Sequence, residues 1–155
     1  METTELATDF TVKAFDEMEH VAGGMFVRAR ASLGGSAFGV QVLNLPPDSG
    51  NMYPEHDHNY DGQEEIYLLL KGSGHIALPG GPVELAPDKM VRVGAATRRR
   101  LRGGSDGASV LVIGATPGQS YTPQSGTELG SDPAFGDPGA SSDLIPDGPP
   151  QQLDC

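Results

Sequence analysis

Two histidines and one glutamate are the residues of this sequence whose types and spacing favour metal chemistry. His56 and His58 are two positions apart, so in an extended segment both imidazoles lie on the same face. Glu65 follows His58 after a polar loop, NYDGQE, whose Asp-Gly pair favours a turn. If this loop folds back, Glu65 begins the next strand and meets both histidines. Two neutral imidazoles and one carboxylate, with open positions opposite, suit a divalent transition metal.

The segment from His56 to Gly72, HDHNYDGQEEIYLLLKG, resembles the first motif of the cupin family, in which HxH and a glutamate precede a strand that ends in glycine. The glutamate of that motif stands seven residues before the glycine, which selects Glu65 over Glu64. The resemblance spans roughly residues 35–115. It implies a cupin barrel, an antiparallel jelly roll, with a metal held by His56, His58 and Glu65.

The second motif of the family reads G-x5-P-x-G-x2-H-x3-N, and the matching stretch of this chain is KMVRVGAATRRRLRG, residues 89–103. From its proline onward, the positions of the motif hold other residues here, namely Gly94, Ala96, Arg99 and Gly103. Arg99 stands where the family has its fourth metal ligand, a histidine. Arginine has no lone pair to give and stays charged, so it cannot ligate a metal.

Strand alternation divides the basic run TRRRLR between two faces. If Arg99 points into the barrel, Leu101 does too. Arg98, Arg100 and Arg102 then face solvent as a solvated or ion-pairing stripe. The opposite register would bury three cations, which is costly without partners.

Two readings of the pocket remain open at the level of the sequence. In the first, the three ligands hold a metal, and Arg99 binds an anionic group of the substrate. In the second, Arg99 takes the place of the metal and pairs with Glu65, which leaves a metal-free polar pocket. Iron or manganese suits the first reading best, with zinc or nickel as alternatives.

Other polar residues are candidates for the same pocket. Gln41 and Tyr53 are expected to orient a substrate together with Arg99, although filling the barrel interior explains them equally well. Tyr67 and His75 are candidates for moving a proton, and an exposed or packed strand position also accounts for His75. Strand alternation turns Asp57 and Glu64 outward.

The elements that must position these residues are short strands. The segments MFVRAR, FGVQVLNL, EIYLLLKG, HIALPG, PVELAP, KMVRVG, RRRLR and ASVLVIGA are bounded by turn residues, and a Gly-Ser-Gly turn separates the third from the fourth. TVKAF is a candidate edge strand, FDEMEH is at best one helical turn, and no α-helix is predicted. The sequence therefore predicts an all-β, antiparallel, single-domain barrel.

Composition divides the chain into three parts. Residues 1–24 form an acidic N-terminal arm, 25–120 the barrel, and 121–155 a Pro- and Gly-rich tail with six acids and no basic residue. Such a tail is expected to be mostly disordered, although a piece from Tyr121 to Leu129 could lie along the barrel. The resemblance to small cupins, which commonly pair through sheet edges and N-terminal arms, and the edge strands of the barrel both imply a homodimer, with residues 10–30 as the exchange arm.

Charge and cysteine content limit the partners. A formal net charge of −11 disfavours nucleic acid and anionic membrane surfaces. Cys155 is the only cysteine, which excludes an internal disulfide, and it makes a poor nucleophile candidate. The acidic N-terminus lacks an apolar signal region, so a cytoplasmic location is expected.

The function expected from these observations is that of a small metal-dependent enzyme, an oxygenase or isomerase, acting on a small polar or anionic molecule. A non-catalytic cupin that binds a ligand, metal-free or not, is the alternative from another class. A metal-free lyase or isomerase built on Arg99 and the histidines ranks third.

Overall fold

The structure is a computed structural model that describes residues 8–124 and 126–132. One short helix and seven strands form its regular elements. They are β1 His20–Val21, β2 Phe26–Val27, α1 Ala29–Leu33, β3 Gly39–Leu45, β4 Glu64–Leu78, β5 Gly81–Glu84, β6 Met90–Val93 and β7 Arg100–Ala115. The all-β prediction is confirmed.

The strands form one antiparallel sheet in the order β1-β2-β3-β7-β4-β5, with β6 also paired to β4. The long strands β4 and β7 run side by side, from Glu64 opposite Ala115 to Ala77 opposite Arg100. Two irregularities in this pairing, at Leu69–Lys71 and Gly72–Gly74, bend the pair. The bend lets the sheet curl around an interior.

The Gly-Ser-Gly turn predicted between two strands is wrong, because β4 continues through it. Gly72 has a φ of +88° and lies so close to β7 that a Cβ atom would stand 2.0 Å from the carbonyl oxygen of Gly107. The glycine therefore serves a bulge and a close strand approach. The chain reverses later, between β4 and β5, where Gly80 has a φ of +96°.

Substituting Gly72→Ala is expected to lower the free energy of unfolding by about 3 kcal/mol or more, because left-handed strain adds to a backbone clash. Gly80→Ala is the matched control, since its φ is also left-handed but nothing lies within 4 Å of an added Cβ. Its expected loss is about 1 kcal/mol. Urea denaturation of both variants checks this; equal losses would show that the approach to Gly107 carries no cost.

An apolar cluster fills much of the barrel interior, and a second apolar layer lies outside β3. Leu43, Tyr67 and Val110 belong to the interior cluster. On the other face of β3, Val42 packs with Val27, Ala29 and Met18. This outer layer explains why α1 forms where a strand was predicted.

The segment MFVRAR, predicted as one strand, pairs only at Phe26–Val27 and then enters α1. The expectation of no α-helix is therefore wrong by this one short helix. It ends at Gly34, whose φ is +79° and whose N–H donates to the carbonyl of Ala31.

The N-terminal arm carries no strand at TVKAF, and residues 8–14 have no regular secondary structure. FDEMEH contributes the expected single turn, a 3-10 helix at Phe15–Glu17. The edge strand is instead β1, which pairs with β2. Among the described residues, no helix is long and apolar enough to cross a membrane.

The predicted tail is described only at residues 121–124 and 126–132. This part has no regular secondary structure and packs against the barrel, in line with the expectation for Tyr121 to Leu129. The expected disorder of the remaining tail, and Cys155, lie outside the described residues.

Candidate metal centre

The backbone of the HxH segment is fixed by Arg99, just before β7, and by the turn before β4. The backbones of His56 and Arg99 exchange two hydrogen bonds of 3.0 and 2.9 Å. The N–H of Gly62 donates to the carbonyl of His58 at 2.7 Å, and Gly62 has a φ of +74°. The Asp-Gly pair thus folds the chain back as predicted and brings Glu65, at the start of β4, to the histidines.

The side chains of His56, His58 and Glu65 converge, with one ligand atom of each lying within 4.8 Å of the others. Nε2 of His58 lies 3.3 Å, and Nε2 of His56 4.0 Å, from Oε1 of Glu65. The two imidazole planes meet at 81°. Nitrogen and oxygen ligands lie about 2.1 Å from a divalent transition metal. The distances between the three ligand atoms therefore fit ligands placed around one ion.

Each histidine is held through its Nδ1 atom. Nδ1 of His56 lies 3.2 Å from the carbonyl of Pro54, and Nδ1 of His58 lies 3.1 Å from Oδ1 of Asp61. A carbonyl and an ionised carboxylate can only accept, so Nδ1 is the donor in both rings. The lone pairs on Nε2 then face Glu65, the arrangement usual for metal-binding histidines.

The electrostatics keep Glu65 ionised. Burial alone would raise its pKa, but the His58 ring, the charge of His56 and the hydroxyl of Tyr67 lower the pKa of Glu65 to about 2. The Tyr67 hydroxyl donates to Oε1 of Glu65 at 2.5 Å. Burial, together with this carboxylate, raises the pKa of Tyr67 well above its usual value. Tyr67 is therefore a hydrogen-bond donor to the cluster.

The two histidines differ in their environments. Burial lowers the pKa of His56. Burial acts the same way on His58, but the neighbouring Glu65 and Asp61 outweigh it and raise the pKa of His58. Nε2 of His58 is buried 3.3 Å from Oε1 of Glu65, and it forms no well-aligned hydrogen bond with any described residue. A buried lone pair beside an ionised carboxylate fits a divalent cation.

Arg99 points into the barrel, where its side chain is fully buried. Its Nη2 atom donates to the carbonyl of Gly94 at 3.0 Å, and its Nε atom lies 3.7 Å from Oε1 of Glu65. Nε and Nη1 are buried without a hydrogen-bond partner in the described part of the chain. Two guanidinium donors are thus left over, and one of them, Nε, lies beside the cluster.

The outward arginine stripe is wrong at Arg98, which is buried. Its Nε atom donates to Glu55 at 2.9 Å and its Nη1 atom to Asp57 at 3.1 Å. Two carboxylates compensate the burial of this cation. Arg100 donates to the carbonyl of Tyr53, and both Arg100 and Arg102 donate to Asn51, so they fasten the loop before the HxH segment.

Three candidates from the sequence remain, namely Tyr53, Gln41 and His75. The Tyr53 ring lies edge-on to His56, with ring centroids 5.7 Å apart. Gln41 pairs with Val112 on the inward face of β3, and its Oε1 atom is buried without a hydrogen-bond partner among the described residues. His75 lies ten residues beyond Glu65 on β4, where its neighbour Ile76 is the core residue. The structure does not bring His75 to the cluster.

Sequence reasoning missed Asp61 and Gln124 beside His58. The Nε2 atom of Gln124 lies 2.6 Å from Asp61 Oδ2 and 3.1 Å from His58 Nδ1. The sequence predicts Asp61 only as a turn residue. Its position three residues after His58 could also have marked it as a hydrogen-bond partner for that imidazole. Gln124 lies 66 residues from His58, and nothing local marks it.

Outward placement is confirmed for Glu64, whose carboxylate lies 2.6 Å from the Arg92 guanidinium on the exposed side of β4. Asp57 also turns away from the cluster, toward Arg98. Neither carboxylate is available as a metal ligand.

Comparison with known proteins places the fold. No family model matches the sequence, and no curated protein is found to be similar. The crystal structure of a cupin protein from Bacteroides fragilis has 24% identity and a TM-score of 0.58, over 75% of this chain and 93% of that one. The structure of KdgF from Halomonas sp. has 13% identity and a TM-score of 0.55, over 76% and 97% of the two chains. The predicted cupin fold is confirmed.

Proposed function

We propose that this cupin-fold chain binds one divalent metal through His56, His58 and Glu65 and acts as an enzyme on a small anionic molecule. The observation that carries the proposal is the convergence of two oriented imidazole nitrogens on one ionised carboxylate. Iron or manganese suits a two-histidine, one-carboxylate set, and zinc or nickel are the alternatives.

The residues around the ligands have defined tasks in this proposal. A bound metal would supply a Lewis acid that polarises a substrate oxygen. Arg99 binds the anionic group of the substrate through Nε and Nη1, the two donors left without a hydrogen-bond partner in the described structure. An anion between the guanidinium and the metal site offsets the repulsion of two neighbouring cations.

The surrounding side chains orient the metal ligand Glu65 and the substrate. Tyr67 keeps its proton and holds Glu65 in place. Tyr53 and Gln41 line the remaining wall and are proposed to contact the substrate. Isomerisation and oxygenation are both proposed for the reaction, because each needs an anionic substrate oriented beside the metal site.

A second candidate function is a non-catalytic cupin that binds a ligand without metal. The 3.7 Å approach of Arg99 to Glu65 favours it, since the guanidinium then neutralises the buried carboxylate directly. The two histidines would act only as hydrogen-bonding groups.

Elemental analysis of untagged protein, purified without added metals, separates the two functions. Near-stoichiometric iron, manganese, zinc or nickel supports the enzyme. If the native protein contains no metal and takes up none on titration with each ion, the metal proposal is wrong, and a panel of small carboxylates becomes the next screen.

We also propose a homodimer in the cytoplasm, which binds a small molecule and no nucleic acid, in keeping with the net charge of −11. The arm supports the dimer. Phe10 and Val12 are two positions apart in a segment without regular secondary structure and are 79% and 81% exposed. An alternating apolar segment without a sheet partner is suited to pairing with a second copy.

Replacing Phe10 and Val12 by serine is expected to weaken self-association more than about tenfold, because each apolar side chain contributes roughly 1.5–3 kcal/mol when buried. Met52→Ser is the matched control, since Met52 is an exposed apolar side chain on another loop. Sedimentation equilibrium measures the dissociation constants. The proposal that the arm forms the dimer contact would be wrong if the wild-type protein were monomeric. It would also be wrong if Met52→Ser weakened self-association as much as the change at Phe10 and Val12.

A further inference from the structure

The C-terminal segment, residues 121–124 and 126–132, is held by two buried arginines. The guanidinium of Arg28 donates to the carbonyls of Gly126, at 3.1 Å, and of Ser131. It also pairs with Glu19 at 2.6 Å. Arg28 is fully buried, so its charged donors depend on the carbonyls of this segment and on Glu19 for hydrogen bonds.

Two further contacts fix the course of this segment. Arg30 pairs with Glu128 and lies 5.9 Å from the ring centroid of Tyr121. The Tyr121 hydroxyl lies 3.0 Å from the point where a Cβ of Gly39 would stand. The segment is therefore packed against the start of β3 before it reaches the metal-ligand loop.

Gln124 brings the segment into contact with that loop. Its Nε2 atom lies 2.6 Å from Oδ2 of Asp61 and 2.8 Å from the Tyr60 hydroxyl, and Nδ1 of His58 is farther away at 3.1 Å. An amide nitrogen carries two hydrogens. The two shorter contacts use both, so His58 Nδ1 receives none and instead donates to Oδ1 of Asp61.

Asp61 is thereby held from both sides. Its Oδ1 atom accepts from His58 Nδ1 and from the backbone N–H of Gln63, each at 3.1 Å. Its Oδ2 atom accepts from Gln124. Without Gln124, the carboxylate loses its donor on Oδ2 and is free to turn away from His58.

We propose that Gln124 is a positioning residue of the metal centre, which acts through Asp61 to keep the Nε2 lone pair of His58 directed at the ligand site. This inference rests on the proposed metal function. The docked C-terminal segment is then part of the site, because Arg28 and Arg30 hold the backbone that carries Gln124.

The test compares Gln124→Glu, Gln124→Leu and the matched control Gln119→Leu, since Gln119 is an exposed glutamine of the same chain region. The affinity for Zn²⁺ or Co²⁺ alone is measured by competition with a chromophoric chelator. Gln124→Glu keeps the shape but loses both donors and places a second carboxylate beside Asp61. Both Gln124 variants are expected to bind at least about tenfold more weakly, and the control to be unchanged.

A double-mutant cycle with Asp61→Asn distinguishes positioning from general packing. If Gln124 acts through Asp61, the double variant loses no more affinity than Asp61→Asn alone. Additive losses, or unchanged affinity in Gln124→Glu with a native circular dichroism spectrum, would overturn the inference while leaving the metal function intact. A wild-type protein that binds neither ion would overturn both.

Discussion

With the proposed metal site, His58→Ala is expected to lower the metal affinity more than about 100-fold, because it removes a ligand, and even the outer partners of metal ligands contribute 10- to 100-fold. The loss of affinity exceeds that expected from one missing ligand, because His58 also keeps the Glu65 carboxylate ionised and in place. The same change at His56 has the same expected direction, and the double variant takes up no metal. Isothermal titration with Zn²⁺ and Mn²⁺ measures these losses.

His75→Ala is the matched control for this series. It removes a histidine from the same strand that carries Glu65, but outside the cluster. Its metal affinity is expected to equal that of the native protein. If His75→Ala weakened binding as much as His58→Ala, the cluster would not be the metal site.

Arg99→His is expected to tighten metal binding at least about tenfold, because it removes a buried cation beside Glu65 and supplies a ligand nitrogen. Arg99→Met removes the cation without adding a ligand, so it isolates the electrostatic part and should tighten binding less. Both variants lose the donors of Arg99, and we expect their affinity for small carboxylates to fall. Metal titration and carboxylate titration on each variant check the two effects.

The two readings of the pocket predict different metal affinities for the native protein. In the metal-dependent reading, the native protein already binds metal and Arg99→His improves it. In the metal-free reading, only Arg99→His binds. Unchanged metal affinity in Arg99→His would mean that residue 99 does not border the ligand site.

The convergence of the metal ligands was predictable because its causes are local. Extended backbone puts His56 and His58 on one face, and an Asp-Gly turn returns the chain to Glu65. The inward direction of Arg99 followed from strand alternation, which needs only the correct register. These rules depend on a few neighbouring residues and on no distant partner.

The missed features depend on partners far away in the sequence. Burial of Arg98 became acceptable only because Glu55 and Asp57 lie beside it, more than 40 residues earlier in the chain. Gln124 reaches Asp61 across 63 residues. The helix α1 forms because its apolar side packs on the outer face of β3, a contact that no local pattern specifies.

The length of chain between the ligands has a consequence for the order of folding. His56, His58 and Glu65 lie within ten consecutive residues, so closing their loop costs little entropy. Arg99 reaches Glu65 only when a segment 34 residues farther along has docked. During folding, the three proposed ligands can therefore come together before the guanidinium arrives. The metal would then be enclosed as the barrel closes and would not have to pass a finished wall.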